Sequence, residues 1–558
     1  MTATFRAFMT MAGLAAVWPL LVSIAPAQTA YDVKTHYAKR ELFIPMRDGV
    51  KLFTIIYAPR DTTVRYPMLM TRTAYGIAPY GPDDYRAVLG PNNDFAREGY
   101  VFVYQDTRGK FKSEGEFIHH VPYVKDSSRP NESTDTWDTI EWLVKNVSNN
   151  NGRVGQWGIS WAGWEVSQGM IGAHPALRAS SPQAPPQDQF FGDDYHSGGA
   201  YQLMYGFNWM STNARARTAP SERAVERFDY GTPDGYRFFL DLGAAANAKK
   251  YFADEVPTWN DHMTHPTYDE YWQARNVPKD LNNITHPVLI VASWFDAQDF
   301  YGPFRMYRAM KEKNPRNKTT LVVGPWTHGG WSRGDGDVLG DVSFGSKTAA
   351  HYRTQIELPF FNFHLKDKGR LNLPEAAVFE TGGNRWHDND QWPPRGTRPR
   401  DLYLQPNGRL SFTVPTDPSA AASDIYVSDP RKPVPYTAEI TTIEGHVFMV
   451  EDQRFVAGRP DVLVYETEPL TEDLTIAGPI DVSIHVATTG TDGDWVVKVI
   501  DVYPGDAPDP KPNPRNVRMG GFQMLLAGDI LRAKFRNSMS APEAMVPNQP
   551  AKLQFTLG

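Results

Sequence analysis

Residues 150–169, NNGRVGQWGISWAGWEVSQG, decide the fold, because they pass from a β-type segment through one serine into a segment with helical spacing. A sharp strand-to-helix corner at Ser160 would project the serine hydroxyl outward. Gly158 and Ala162 keep the corner small, and Gly163 gives the spacing G-x-S-x-x-G in place of the commoner G-x-S-x-G. The stretch therefore predicts a nucleophilic serine held between a strand and a helix.

The same stretch supplies a way to stabilise negative charge beside Ser160. A helix that begins at Trp161 has N–H groups in its first turn that find no acceptor inside the helix. They would point at an oxyanion formed next to the serine hydroxyl, an arrangement typical of acyl transfer. Because a serine between glycines also occurs in ordinary turns, this prediction requires a base and an acid elsewhere in the chain.

Length and composition limit the classes of protein that the chain can belong to. Its 558 residues, 41% of them hydrophobic, predict two or three domains with a large core. The 57 basic and 64 acidic residues are mixed along the sequence and give a net charge of -7, so we expect no nucleic-acid partner. The absence of cysteine excludes disulfides and thiol chemistry. We expect neither a metal nor another cofactor.

The first 27 residues have the pattern of an export signal. Arg6 gives a weakly basic start, residues 9–24 are mostly apolar, and Ala25-Pro26-Ala27 offers a small-x-small cleavage site. The pattern predicts a periplasmic or secreted protein, and the alternative is a buried N-terminal helix. Since Pro19 interrupts the apolar run and no later stretch reaches about 18 apolar residues, we expect no membrane span after signal removal.

Strand and helix patterns alternate through the first two thirds of the chain. Residues 39–59 predict an edge hairpin around the turn at residues 47–49, and residues 134–147 predict a helix. Continuous apolar runs, typical of strands buried on both faces, lie at residues 66–70, 100–104, 287–292 and 320–323, and residues 176–184 predict a further strand. These patterns predict a parallel sheet covered by helices.

Two further regions interrupt or follow this sheet. The strand rhythm is lost between residues 197 and 283, which predicts an inserted helical cap. Beyond about residue 372, short alternating runs separated by Gly, Pro and Asp turns predict a jelly-roll β-sandwich. The predicted divisions are a signal peptide (1–27), a first core part (28–196), a cap (197–283), a second core part (284–371) and the jelly roll (372–558).

A base and an acid for Ser160 occur in the order serine, acid, histidine. Asp296 follows the apolar run VLIVASWF and His328 follows LVVGPWT, so each would lie at the carboxyl end of a buried parallel strand. His328 would take the proton of Ser160, and Asp296 would orient the imidazole. The alternatives are a turn residue at Asp296 and a polar residue in a glycine-rich loop at His328.

A second group of polar side chains would face the same cleft. Asp194 follows the serine region, and Gln298 and Asp299 follow Asp296 by two and three residues. Carboxylates grouped near a nucleophile would attract a substrate ammonium. The alternative is that these acids are solvated loop residues.

Seven motifs in this order resemble the CocE/NonD hydrolases, and especially the α-amino acid ester hydrolases: TRTAY, QDTRGKFKSEGEF, TDTWDTIEWL, GISWAGW, GDDY, WFDAQD and GPWTHGGW. The resemblance covers nearly the whole mature chain. It implies an α/β-hydrolase core with a helical cap and a C-terminal jelly roll, and a catalytic triad of Ser160, Asp296 and His328. Tyr75 matches the tyrosine whose hydroxyl joins the oxyanion hole of that family, and Trp161 matches the position whose backbone N–H completes it.

The resemblance also implies a substrate class. The three ammonium-binding carboxylates of the family match Asp194, Gln298 and Asp299, so one acid is an amide in this chain. We expect a small-molecule ester or amide substrate, and in particular α-amino acid esters. This class includes β-lactam antibiotics that have an α-amino acyl side chain, and the reaction includes acyl transfer as well as hydrolysis. Open alternatives are a broader esterase or acylase, resembling cocaine esterases, glutaryl acylases or Xaa-Pro dipeptidyl-peptidases, and more distantly a carbohydrate-binding protein. Similar enzymes form homotetramers, so we expect a homo-oligomer.

Overall fold

A computed structural model describes residues 31–217, 219–416, 423–445 and 447–558. The predicted export signal at residues 1–27 lies outside the described residues. Within the four described ranges, no helix is both long and apolar enough to cross a membrane.

The centre of the molecule is a ten-stranded mixed sheet. The strands before residue 390, two short ribbons (β7–β8 and β11–β12) included, are β1 (Tyr37–Pro45), β2 (Lys51–Pro59), β3 (Tyr66–Thr73), β4 (Val101–Asp106), β5 (Asn150–Ile159), β6 (Leu177–Gln183), β7 (His196–Ser197), β8 (Ala200–Tyr201), β9 (Val288–Phe295), β10 (Thr319–Thr327), β11 (Val338–Leu339), β12 (Val342–Ser343), β13 (Ala376–Glu380) and β14 (Arg385–Asn389). Their order in the sheet is β1-β2-β4-β3-β5-β6-β9-β10-β13-β14.

Strand direction confirms the predicted parallel sheet. Every neighbouring pair from β4 to β13 is parallel. The predicted edge hairpin is also confirmed, since β1 pairs antiparallel with β2 from Tyr37–Pro59 to Pro45–Lys51. The strand β10 is buried along its whole length, and β9 along nearly all of it. Such strands have apolar side chains on both faces because helices cover both faces of the sheet.

Helices flank the sheet and form the inserted segment. The α-helices are α1 (Val33–His36), α2 (Asn93–Glu98), α3 (Glu132–Asn146), α4 (Trp161–Met170), α5 (Leu203–Asn213), α6 (Gly235–Leu242), α7 (Lys249–Phe252), α8 (Pro257–Thr264), α9 (Glu270–Arg275), α10 (Tyr301–Lys313), α11 (Thr348–His351), α12 (Leu358–Lys366) and α13 (Arg454–Ala457). A π-helical segment, Tyr352–Glu357, joins α11 to α12. The 3-10 turns are Ala245–Ala248, Pro278–Asp280, Gly330–Ser332, Phe448–Val450 and Ala533–Phe535.

Local capping explains where helix α3 begins. The sequence predicts its start at Thr134, but the helix begins two residues earlier, at Glu132. The side chain of Asn131 accepts hydrogen bonds from the backbone N–H groups of Ser133 and Thr134, and the Thr134 hydroxyl accepts one from the Asn131 N–H. This reciprocal pair satisfies N–H groups that the first turn leaves without partners.

Helices α5 to α9, which we call the helical cap, confirm the helical character predicted for residues 197–283. The cap has an aromatic core of its own. Phe207 of α5 is fully buried, and its ring centroid lies 4.6 Å from that of Phe252 in α7. Phe252 in turn lies 5.1 Å from Trp259 in α8. The cap is therefore a packed unit and can hold side chains in place over the sheet.

Two strands beyond the predicted division at residue 372 belong to the central sheet. Strand β13 pairs parallel with β10, and β14 pairs antiparallel with β13. The sequence alone does not separate them from the later β-strands, because a short apolar run has the same pattern in either sheet. Residues 390–558, which we call the C-terminal β region, contain β15 (Tyr403–Gln405), β16 (Arg409–Ser411), β17 (Ile480–Val486), β18 (Asp494–Val502), β19 (Gln523–Arg532) and β20 (Ala551–Leu557). They form three antiparallel pairs, β15–β16, β17–β20 and β18–β19.

A buried arginine ties two helices to the sheet. Arg72 in β3 lies 2.7 Å from the carboxylate of Glu132 in α3 and 2.9 Å from that of Glu165 in α4. These side chains are almost completely enclosed. Glu165 also accepts a hydrogen bond from the Trp161 indole at 3.0 Å. The first turn of α4, which follows Ser160, is thus fixed by a buried charge network.

We expect Arg72→Met to destabilise the protein strongly. The substitution leaves two buried carboxylates without their cation, and breaking a buried ion pair costs about 3–5 kcal/mol. The measurement is the thermal unfolding midpoint. Arg97→Met is the matched control, because Arg97 and Asp94 form an ion pair in which both side chains are well exposed, and such pairs contribute little. Equal shifts in the two variants would contradict this account.

Candidate active site

The predicted strand-to-helix corner at Ser160 is confirmed. Strand β5 ends at Ile159, α4 begins at Trp161, and Ser160 has φ 62° and ψ -126°. A side-chain-bearing residue in such a conformation costs about 1–3 kcal/mol, so its surroundings must impose it. A Cβ on Gly158 would lie 2.3 Å from the carbonyl oxygen of Ala162. The corner can therefore form only with glycine at that position.

The second glycine of the motif packs against a neighbouring strand. A Cβ on Gly163 would lie 2.6 Å from the carbonyl oxygen of Gln183, the last residue of β6. The same carbonyl accepts a hydrogen bond from the Ser160 N–H at 2.9 Å. This contact explains the spacing G-x-S-x-x-G, because a side chain at position 163 would collide with the end of β6.

Asp296 and His328 lie side by side at the carboxyl end of the sheet. They directly follow β9 and β10, which are parallel neighbours. Nδ1 of His328 lies 3.0 Å and 2.9 Å from the two carboxylate oxygens of Asp296. The same carboxylate accepts the backbone N–H groups of Gln298 and Asp299, each at 3.0 Å. Asp296, which is 2% exposed, is therefore held from several directions.

The pair is electrostatically matched. Burial alone would raise the pKa of Asp296, but the charge and hydrogen bond of His328, with the backbone N–H groups of Gln298 and Asp299, lower it overall. Burial alone would lower the pKa of His328, but Asp296 raises it overall, with smaller contributions from Asp194 and Glu444. The pair therefore favours a carboxylate beside an imidazole that accepts a proton readily.

The other imidazole nitrogen is available for chemistry. Nε2 of His328 is buried and has no hydrogen-bond partner among the described residues. A Cβ on the adjacent Gly329 would lie 3.5 Å from a side-chain methyl of Ile159, the residue before Ser160. The histidine loop thus lies against the strand end that presents the serine. Hydrogen bonds between a catalytic base and its nucleophile are often long in the free state and shorten when substrate binds.

Tyr75 and Trp161 flank Ser160. The Tyr75 hydroxyl accepts a hydrogen bond from the indole N–H of Trp209 in the cap at 3.2 Å. Burial of the Tyr75 hydroxyl raises its pKa. Hydrogen bonds with Trp209 and Ser160 act in the opposite direction and lower it. The residue as a whole is nevertheless 41% exposed. The rise in pKa thus reflects burial of the hydroxyl end of the side chain, while other parts of the residue remain exposed.

Trp209 was missed by sequence reasoning. Its ring stacks on that of Trp161, with centroids 5.5 Å apart and an interplanar angle of 12°. Together with the hydrogen bond to Tyr75, this contact lets one cap residue position both predicted oxyanion-hole residues. No spacing in the sequence marks it, since it lies within an otherwise ordinary amphipathic helix.

Asp194, the first residue of the predicted ammonium site, is buried and firmly held. Its carboxylate accepts hydrogen bonds from the Tyr205 hydroxyl at 2.7 Å and the Gln189 amide at 2.9 Å. Its backbone N–H donates to the carbonyl oxygen of Gln298 at 2.8 Å. The φ of Asp194 is 53°, in the left-handed region that residues with side chains rarely adopt. Strain of this kind often accompanies a functional position.

Asp299 is buried without a partner. It is 1% exposed, and neither carboxylate oxygen has a hydrogen-bond partner among the described residues. One oxygen lies 3.9 Å from Nε2 of His328. Burial and then the charges of Asp194, Asp193 and other neighbouring carboxylates raise the pKa of Asp299 well above its usual range. An unpaired buried carboxyl is costly, and a bound cation would remove that cost.

Gln298 joins the site to a distant part of the chain. Its side-chain amide donates a hydrogen bond to the carboxylate of Glu444 at 3.3 Å. Burial raises the pKa of Glu444 to about 8, although the hydrogen bond from Gln298 and the charge of His328 oppose the rise. Sequence reasoning missed Glu444, because it lies in a loop of the C-terminal β region with no motif around it. The structure thus brings together all the residues predicted for this site and adds one carboxylate.

Comparison with known proteins identifies the family. A model of the X-Pro dipeptidyl-peptidase (S15) family matches residues 48–330, and a model of the X-Pro dipeptidyl-peptidase C-terminal non-catalytic domain matches residues 370–558. The chain belongs to the CocE/NonD and S15 family of serine hydrolases. The predicted family and the predicted fold class, an α/β-hydrolase core with a further C-terminal domain, are therefore confirmed.

Three known proteins are similar to this chain over most of their length. An aminopeptidase from the marine sediment archaeon Thaumarchaeota archaeon is 35% identical with a TM-score of 0.86, over 96% of this chain and 88% of that one. A solved α-amino acid ester hydrolase is 34% identical with a TM-score of 0.85, over 97% and 89%. The cocaine esterase of Rhodococcus sp. (strain MB1 Bresler) is 28% identical over 530 residues, 90% of this chain and 84% of that protein.

We expect His328 to titrate above the ordinary histidine pKa of 6.5 and Asp296→Asn to lower that pKa. The substitution removes the charge that raises the value and leaves the burial that lowers it. The measurement is NMR of the protein with labelled imidazole carbons, in which His328→Gln assigns the signal. An unchanged pKa in Asp296→Asn would show that Asp296 does not govern the imidazole.

Proposed function

We propose that this hydrolase cleaves α-amino acid esters through an acyl-enzyme on Ser160. The supporting observation is Asp299, a buried carboxylate without a partner whose oxygen lies 3.9 Å from Nε2 of His328. In an α-amino acid ester only the α-carbon separates the ammonium nitrogen from the carbonyl carbon. A site for that ammonium must therefore lie close to the catalytic base, as Asp299 does.

The chemistry follows from the placement of five groups. His328 takes the proton of Ser160 at Nε2 while the serine oxygen attacks the ester carbonyl carbon, and Asp296 stabilises the imidazolium. The Tyr75 hydroxyl and the Trp161 N–H donate hydrogen bonds to the oxyanion. His328 then protonates the leaving alkoxide as the ester C–O bond breaks. Water repeats the sequence on the acyl-enzyme and releases the acid, and an amine in place of water gives acyl transfer.

The ammonium site would select substrates by charge. Asp194 and Asp299 are both buried, and burial strengthens their attraction for a cation. β-Lactam antibiotics with an α-amino group in the acyl side chain have the same arrangement of ammonium and carbonyl groups and fall within the proposed substrate class. Export to the periplasm or medium and assembly into a homo-oligomer also belong to this proposal. Cell fractionation and sedimentation of the purified protein test them.

An aminopeptidase is the second candidate. The ammonium site that would hold an α-amino ester would equally hold the N-terminus of a peptide, and one of the similar structures is an aminopeptidase. The two functions differ in the leaving group, because an amide nitrogen must be protonated as it leaves. Comparing a phenylglycine methyl ester with the corresponding p-nitroanilide separates them.

We expect Ser160→Ala to abolish ester hydrolysis and leave the fold intact. Loss of the nucleophile of such a triad typically reduces kcat by about 10⁶-fold. The measurement is kcat for phenylglycine methyl ester, with circular dichroism to verify the fold. Activity within about tenfold of the unchanged protein would exclude Ser160 as the nucleophile.

We expect phenylglycine methyl ester to be preferred over phenylacetic methyl ester, which lacks only the α-amino group. Asp299→Asn should reduce kcat/KM for phenylglycine methyl ester at least about tenfold more than for phenylacetic methyl ester, because charge-assisted hydrogen bonds contribute about 1.5–3 kcal/mol. Asp83→Asn is the control, since the Asp83 side chain is 92% exposed. Equal losses on both esters in Asp299→Asn, or no preference in the unchanged protein, would indicate a general esterase.

A further inference from the structure

We propose that Glu444 of the C-terminal β region is a specificity-determining residue that supplies the carboxylate missing at Gln298 in the ammonium site. This inference rests on the proposed function, since it concerns which residues bind the α-amino group. It assigns a role in substrate selection to a region whose family model describes a non-catalytic domain.

The first argument is contact. Oε2 of Glu444 accepts a hydrogen bond from the side-chain amide of Gln298 at 3.3 Å. Gln298 directly precedes Asp299, and its carbonyl oxygen accepts the backbone N–H of Asp194 at 2.8 Å. The Glu444 carboxylate therefore lies one side chain away from the loop that carries Asp299 and accepts the backbone N–H of Asp194. Its charge also acts on the pKa values of Asp299 and His328.

The second argument is the unpaired carboxylate beside it. Neither oxygen of Asp299 has a hydrogen-bond partner within the described part of the chain, and the side chain is almost fully buried. A group that requires a partner and lies among acids points to a cationic ligand. Glu444 would contact the same cation from the side of the C-terminal β region.

The third argument is that Glu444 is brought to the site by specific contacts with the cap. The carbonyl oxygen of Thr441 accepts the backbone N–H of Gly235, which begins α6, at 3.0 Å. The carbonyl oxygen of Thr442 accepts the side-chain amide of Asn208 in α5 at 2.7 Å. Two consecutive residues are thus anchored to the cap just before Glu444, which fixes where its side chain enters the cleft.

The amide at position 298 is the expected complement of an acid at position 444. A glutamate at 298 would place two carboxylates in contact, and one of them would have to remain protonated. Glutamine instead donates a hydrogen bond that orients the carboxylate of Glu444. The exchange therefore keeps an acid at the site and moves it to a residue 146 positions later in the chain.

The protonation of the free site agrees with this assignment. Burial raises the pKa of Glu444 to about 8. Burial and the neighbouring carboxylates raise the pKa of Asp299 well above its usual range. A group of acids that resists ionisation when empty will ionise when an ammonium binds, because the cation lowers each pKa. The site should therefore bind protonated amines with release of protons.

The test is the ratio of kcat/KM for phenylglycine methyl ester to that for phenylacetic methyl ester. We expect Glu444→Gln to lower this ratio at least about tenfold, mainly through KM of the amino ester, because an ammonium contact present before the transition state acts on binding. Glu439→Gln, an exposed glutamate in the same segment, is the matched control and should leave the ratio unchanged.

A charge relocation distinguishes a direct role from a structural one. The double variant Gln298→Glu with Glu444→Gln returns the acid to position 298, and we expect it to recover most of the ratio lost in Glu444→Gln. A ratio that stays low in the double variant would mean that Glu444→Gln only disturbs the segment, and would overturn the inference.

The remaining outcomes separate this inference from the proposed function. If Asp299→Asn lowers the ratio and Glu444→Gln does not, α-amino ester hydrolysis stands and the role of Glu444 is wrong. If the unchanged protein does not prefer the amino ester, the proposed function fails and the inference fails with it.

Discussion

The carboxylate of Asp296 is the constraint on which the rest of the site depends. One oxygen accepts a hydrogen bond from the His328 imidazole at 3.0 Å. It also accepts hydrogen bonds from the backbone N–H groups of Gln298 and Asp299, each at 3.0 Å. The residue that orients the base therefore also folds the loop that follows it. Because the loop turns back on Asp296, the Asp299 side chain is directed into the protein near His328, and the positions of His328 and Asp299 are linked.

The residues at strand ends could be predicted because their placement follows from sheet topology. Asp296 and His328 each follow a buried apolar run, and parallel neighbours bring their carboxyl ends to one edge. Ser160 was predictable from its glycines, whose role is steric. In these cases the sequence pattern around each position, an apolar run or a glycine, carries the signal, and a single sequence contains it.

Trp209 and Glu444 could not be predicted, since their roles arise from packing between distant segments. Trp209 lies in cap helix α5 and donates a hydrogen bond to the Tyr75 hydroxyl. Nothing in the sequence of that helix distinguishes Trp209 from a core tryptophan. Glu444 lies in a loop, where an acidic residue is usually solvated. For the same reason the sequence identifies the amide at Gln298 as a lost charge, whereas the structure has a carboxylate 3.3 Å from that amide.

Two groups of buried acids differ in whether the protein supplies them with a cation. Glu132 and Glu165 surround Arg72, so that group is neutralised within the protein and serves stability. Around Asp299, no lysine or arginine of the described residues lies within ion-pair distance, and the only cationic neighbour is His328 at 3.9 Å. Burying acids without a cation costs folding free energy. Under the proposed function, a ligand that brings its own ammonium would recover that energy on binding, so the burial that is unfavourable in the empty site would favour a cationic substrate.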